Sequence, residues 1–92
     1  VARIAFFGAG YAGLVSGACL AELGHTVVIR DVAPERIEEL VAGRVPFHEP
    51  GLEELIDANR GRLSFTLSME EAVDGSEFLF VCVGTPPTPS GD

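Results

Sequence analysis

Three glycines at positions 8, 10 and 13 stand directly behind an apolar run, and an aspartate, Asp31, follows 18 residues after the third (31 minus 13). In Gly8-Ala9-Gly10-Tyr11-Ala12-Gly13 each glycine has a separate physical task. Gly8 makes a tight turn out of a strand, Gly10 lets main chain touch a diphosphate, and Gly13 lets the next helix lie close against that strand. The amides that open such a helix lack intrahelical partners and carry the positive end of its dipole, so an anion is stabilised there without a lysine side chain. Asp31 stands where a carboxylate accepts hydrogen bonds from ribose hydroxyls, and its charge opposes a 2′-phosphate. The chemistry is dinucleotide binding, with NAD preferred over NADP. A glycine pattern alone is weak grounds, since a tight turn needs no ligand; strand, glycines, helix, second strand and acid in that order carry the case.

Other positions bear on the same site. Arg36, five residues beyond Asp31, places a guanidinium near the ribose, where it either contacts ligand or is a solvated helix residue. Thr85, in Gly84-Thr85-Pro86, follows the last strand at the crevice of a doubly wound sheet, within reach of a pyrophosphate or nicotinamide ribose; the alternative is a plain loop. Cys19 and Cys82 lie in apolar runs without C-x-x-C spacing and are read as buried thiols in a reducing compartment, not as a nucleophile or a disulfide. His25 is read as a helix-end residue and His48 as an exposed loop residue; Glu49, the nearest candidate for a role beyond binding, is read before Pro50 as shaping a helix start.

The elements that must position these residues alternate. An apolar strand from Ala2 to Phe7 precedes a helix from Tyr11 to Leu23, whose stripe of Leu14, Ala18 and Ala21 is kept thin by Gly17. A β-branched strand from His25 to Arg30 delivers Asp31 to its carboxyl end. Pro34 opens a second helix that Gly43 closes, with no capping side chain at Ala33. A turn over 46–51 leads to a helix from Leu52 to Ala58, then a strand from Leu63 to Thr66, a short helix capped by Ser68 with Glu71, and an apolar strand from Phe78 to Val83. This alternation predicts an α/β fold: a Rossmann-like parallel sheet of strand order 3-2-1-4, a truncated doubly wound unit.

Composition bounds the rest. Ninety-two residues hold one modest core. The charge of -8 comes from 14 acidic residues against six basic ones, all arginine, so nucleic acid and acidic lipid surfaces are disfavoured as partners. The uncharged run from Ile4 to Ala21 invites a membrane reading, but Gly8, Gly10, Gly13 and Gly17 interrupt it, and a cytoplasmic location is expected.

Four blocks, Gly8-Ala9-Gly10-Tyr11-Ala12-Gly13-Leu14-Val15, Gly17-Ala18-Cys19-Leu20-Ala21, Pro46-Phe47-His48-Glu49-Pro50-Gly51-Leu52 and Val81-Cys82-Val83-Gly84-Thr85-Pro86, resemble successive segments of the UDP-glucose and GDP-mannose dehydrogenase family. The resemblance runs through almost the whole chain. It implies oxidation of a sugar-nucleotide primary alcohol to a carboxylate by two hydride transfers to NAD, with UDP-glucose the expected substrate. It places Ala12, Asp31, Arg36 and Thr85 where the family touches NAD, beside Gly8, Gly10 and Gly13, and Tyr11 where its side chain approaches the substrate. The family usually has valine at Ala12, tyrosine at His48 and often an acid at Ala33; the last departure is expected to loosen the loop that carries Asp31. The family's catalytic cysteine and lysine belong to a later segment, so residues 1–92 read as the amino-terminal part of an NAD-binding domain with no catalytic residue. The rival readings are a stand-alone nucleotide-binding or structural module and a flavin or NADP enzyme. The apolar fourth strand is expected to be an open edge through which copies associate.

Overall fold

The computed structural model describes residues 1–45 and 49–82. Its elements are β1 (Arg3–Phe7), α1 (Tyr11–Glu22), β2 (Thr26–Arg30), α2 (Pro34–Val41), α3 (Leu52–Ala58), β3 (Leu63–Thr66), α4 (Met69–Val73) and β4 (Phe78–Val81). All strand pairs are parallel, and the order is β3-β2-β1-β4, as the alternation predicts. Each expected element is present to within about two residues.

Strand alternation divides the core between two faces. Ile4 and Phe6 of β1, with Val27 and Ile29 of β2, bury themselves under Leu14, Ala18 and Ala21 of α1 and under Leu52 and Ile56 of α3. Ala5 and Val28 point the other way, where Ala72 of α4 covers them. The chain therefore changes faces between β3 and β4. The carboxyl end of β1, beside β4, becomes the point where successive connections diverge, which is where ligands bind in open α/β sheets.

Helix α1 lies almost on the sheet. A Cβ on Gly13 would overlap the carbonyl oxygen of Gly8, and one on Gly17 would stand 2.9 Å from Ile29 Cδ1 and 3.3 Å from Val27 Cγ1. Only small residues permit that approach.

Arginines close the helix ends. Arg62 Nε donates to Ala21 O at the end of α1 (2.9 Å), Arg60 Nη1 to Val41 O at the end of α2 (3.1 Å), and Arg3 Nη2 and Nε to Glu71 O and Asp74 O at the end of α4 (3.0 and 2.8 Å). These carbonyls lack intrahelical partners, and a cation beside them also suits the negative end of the dipole. Asn59, buried at 2% exposure, joins the same network: its amide donates to Glu22 Oε1 and Leu55 O, and its oxygen accepts from Arg62.

Several sequence readings need correction. Cys19 is exposed and Cys82 only partly buried. With Leu14, Ala18 and Ala21 facing the sheet, Cys19 falls on the flank of α1, beside a groove bounded by Phe6 and Phe80. His25 does more than end a helix: its Nδ1 accepts from Ala2 N–H at 3.1 Å. Ser68 caps α4 by accepting from Glu71 N–H (3.1 Å), but the Glu71 carboxylate turns to the Thr66 hydroxyl instead of closing the box.

Gly17→Val is expected to destabilise the fold by about 1–3 kcal/mol, because the added methyls must displace Ile29 and Val27 in a packed interior. Urea unfolding, with the midpoint lowered and the slope unchanged, is the check.

Candidate nucleotide-binding site

The site grows from the end of β1. Gly8 has φ +112°, a conformation that L side chains rarely adopt, and its N–H donates to Arg30 O at 2.8 Å. The chain thus turns away from β1 while still tied to β2. Ala9 is fully buried, and both of its main-chain polar groups are held by side chains. Its N–H donates to Asp31 Oδ2 at 2.7 Å, and its carbonyl accepts from Arg36 Nη1 at 2.7 Å. Gly10, extended at ψ -170°, is the N-cap of α1 and supplies no capping side chain. A Cβ built on Gly10 would meet nothing within 4 Å, so the space over the helix mouth is open. First-turn amides of α1 border that space, and helix geometry leaves them without intrahelical partners, the kind of donor that stabilises an anion.

Asp31 is fixed from three directions. Its N–H donates to Thr66 O of β3 (3.2 Å), its Oδ2 holds Ala9, and its Oδ1 accepts from Ala33 N–H at 2.9 Å. This last bond corrects the expectation of a loose loop: α2 has no capping side chain at Ala33, yet Asp31 secures the Ala33 amide from two residues upstream. Partial burial acts to raise the Asp31 pKa. The amides of Ala9, Ala33 and Val32 and the charge of Arg36 outweigh it, and the net displacement is below the ordinary value of 3.8. Phe7, Gly8, Arg30 and Val32 join Asp31 around a shallow pocket of about 70 Å³. A broader open hollow of about 820 Å³ beside α4 is lined by Glu70, Glu71 and Asp74, a set of charges that repels a diphosphate.

Tyr11 opens α1 and is 55% exposed. Its hydroxyl is hydrogen-bonded to the Glu49 carboxylate; that bond, then the carboxylate's charge, then slight desolvation raise its pKa above 10.0. Glu49 thus reaches the site with its side chain, while its carbonyl accepts from Leu52 N–H at the start of α3. The sequence reading favoured the second role for Glu49 over one beyond binding. Gly8, Gly10, Tyr11, Ala12, Gly13, Asp31 and Arg36 are gathered at one end of the sheet, whereas Thr85 and His48 lie outside the described residues. Sequence reasoning missed Ala9, whose contribution is entirely main-chain; the only available signal was an acid and a base five residues apart behind a strand.

Because the Asp31 pKa is depressed in the folded chain, its stabilising contribution is complete above the unfolded value near 3.8 and is lost as pH falls through the lower folded value. Asp31→Asn removes that dependence and sets an amide NH2 against one of two N–H donors. The stability gap between wild type and Asp31→Asn is therefore expected to be widest near neutral pH and to narrow below 3.8. Urea titrations across that range test it; a gap of constant size would contradict the linkage.

Comparison with known proteins agrees with this geometry. The profile of the UDP-glucose/GDP-mannose dehydrogenase family, NAD binding domain, matches residues 2–92. The UDP-glucose 6-dehydrogenase of Rhizobium meliloti is 46% identical over 86 residues, covering 91% of this chain and 20% of that protein. The GDP-mannose 6-dehydrogenase of Pseudomonas aeruginosa is 45% identical over 92 residues, covering 98% and 21%. Among solved structures, a ternary complex of GDP-mannose dehydrogenase from Pseudomonas aeruginosa superposes with a TM-score of 0.92 at 44% identity, over 98% of this chain and 21% of that one. A UDP-glucose dehydrogenase from the archaeon Pyrobaculum islandicum gives 0.89 at 47% identity, over 97% and 21%. The chain spans about a fifth of the length of the curated relatives it matches. Fingerprint, strand order, docked carboxylate and family profile coincide: the chain belongs to the UDP-glucose/GDP-mannose dehydrogenase family, as its NAD binding domain.

Proposed function

We propose that residues 1–92 form the amino-terminal part of a single NAD-binding domain, which holds the adenosine diphosphate half of NAD over the mouth of α1. The observation that carries this reading is the Asp31 carboxylate docked on Ala9 N–H at 2.7 Å beneath open space at Gly10. In this arrangement the diphosphate rests on the amides of the first turn, with Gly10 admitting it and Gly8 and Gly13 holding strand and helix together. Oδ2 of Asp31 accepts Ala9 N–H and Oδ1 accepts Ala33 N–H, and a carboxylate with about four acceptor positions retains room for a ribose hydroxyl. Ala12 and Arg36 flank the nucleotide, Tyr11 faces the substrate side, and Thr85 serves the pyrophosphate or nicotinamide ribose.

Bound NAD supplies a hydride acceptor; the residues of this chain bind and orient it. For the whole protein we propose oxidation of UDP-glucose to UDP-glucuronate with two NAD, in the cytoplasm, without nucleic acid or membrane partners. A second copy is a further proposed partner, through β4, where Phe78, Leu79, Phe80 and Val81 are all at least 45% exposed. No helix among the described residues is long and apolar enough to cross a membrane.

Calorimetry is expected to show saturable binding of NADH, and binding of NADPH weaker by about tenfold or more, since a 2′-phosphate meets the Asp31 carboxylate. Absence of NADH binding would sink the reading. Because no residue here is assigned to catalysis, incubation of the chain with UDP-glucose and NAD is expected to give no sustained NADH absorbance. Sedimentation is expected to show association that increases with concentration; a monomer throughout would remove the β4 interface.

A further inference from the structure

We propose that Arg36 is a positioning residue for the diphosphate-binding main chain: it holds the Ala9 carbonyl while Asp31 holds the Ala9 N–H, so the glycine loop is set before any nucleotide arrives. The inference rests on the NAD-binding reading above and deepens it. Arg36 Nη1 stands 2.7 Å from Ala9 O, and Asp31 Oδ2 stands 2.7 Å from Ala9 N. The two bonds fall on different peptide planes, one joining Gly8 to Ala9 and the other joining Ala9 to Gly10.

The second plane is the decisive one. In a trans peptide the carbonyl and the following N–H point in opposite directions, and no described peptide is cis. Drawing the Ala9 carbonyl toward Arg36 therefore aims the Gly10 N–H away from α2. Ala9 sits between two glycines, the residues that restrict main-chain rotation least, so unclamped peptides there would sample several orientations. The burial of Ala9 fixes where the residue is; the two charged side chains fix how its peptides are turned. Binding then avoids the entropic cost of ordering the loop.

The clamp also links elements. Arg36 lies in the first turn of α2, and Asp31 follows β2, so the mouth of α1 is held from two neighbouring segments. A guanidinium suits the task because one nitrogen can hold the carbonyl while others remain available to the nucleotide.

The test uses the full chain, isotopically labelled, as wild type, Arg36→Gln and Arg36→Lys. In the nucleotide-free protein, Arg36→Gln is expected to shift the Gly10 amide resonance and to speed hydrogen exchange at Ala9 by about tenfold, with Arg36→Lys closer to wild type. Titrations should show NADH and ADP weakened by about tenfold in Arg36→Gln, and adenosine weakened by clearly less. Unaltered loop amides in a chain that binds NADH would overturn the proposal alone. Equal losses for adenosine and ADP would overturn it too, by showing that Arg36 acts only through contact with the nucleoside. Loop amides that respond in a chain whose wild type binds no NADH would end the nucleotide reading and the proposal together. Should Arg36→Gln not fold, Arg36→Lys must give the same responses at smaller amplitude, and none at all would overturn the proposal.

Discussion

The site depends on how closely α1 approaches the sheet. With Gly13 over the Gly8 carbonyl and Gly17 over Ile29, the helix axis lies nearer β1 and β2 than any larger residue would permit. That nearness brings the amino end of α1 to the carboxyl end of β1, where the loop amide of Ala9 meets the carboxylate that follows β2. A helix displaced outward would keep its dipole but lose the tie from Ala9 to Asp31. Packing at Gly17, more than one turn away from the loop, and geometry at the loop are thus one problem with one solution.

Close packing leaves main-chain carbonyls at element ends, and beside the main-chain N–H groups that close them this chain uses arginine repeatedly. Five of its six arginines, Arg3, Arg30, Arg36, Arg60 and Arg62, donate to main-chain carbonyls. Three close helix ends, Arg30 holds Leu67 O behind β3, and Arg36 holds the glycine loop. A planar fork can serve two acceptors at once, as Arg3 does with Glu71 O and Asp74 O, whereas an ammonium is a hydrated point charge that gains less from a fixed carbonyl. The absence of lysine is consistent with basic residues that mostly brace the fold.

What the sequence disclosed and what it concealed follow from where each signal is written. The glycine spacing, Asp31 and the strand order were legible, because a turn with positive φ and a close helix approach each demand a residue type at a fixed offset. The double hold on Ala9 was not, since a main-chain donor and acceptor leave no mark in side-chain chemistry. Nor were the caps from Arg62 and Arg60, which join residues 41 and 19 apart in the chain. Cys19 was misplaced for another reason. Helix α1 is apolar nearly all round, so periodicity does not say which flank is left uncovered, and only the stripe of small residues turned to the sheet decides it.

An acidic chain that holds a diphosphate requires its charges to be arranged locally. The chain carries fourteen acidic residues, but exposed charges are screened beyond about 8 Å at physiological ionic strength, and the groups nearest the site decide. The Asp31 carboxylate at the site is occupied by the amides of Ala9 and Ala33 and accompanied by Arg36, which lowers its pKa and spreads its charge into the main chain. On the reading proposed above, a diphosphate over Gly10 would face the positive end of α1, and a ribose an acid whose field is already partly balanced. The same carboxylate still repels a phosphate placed directly on it.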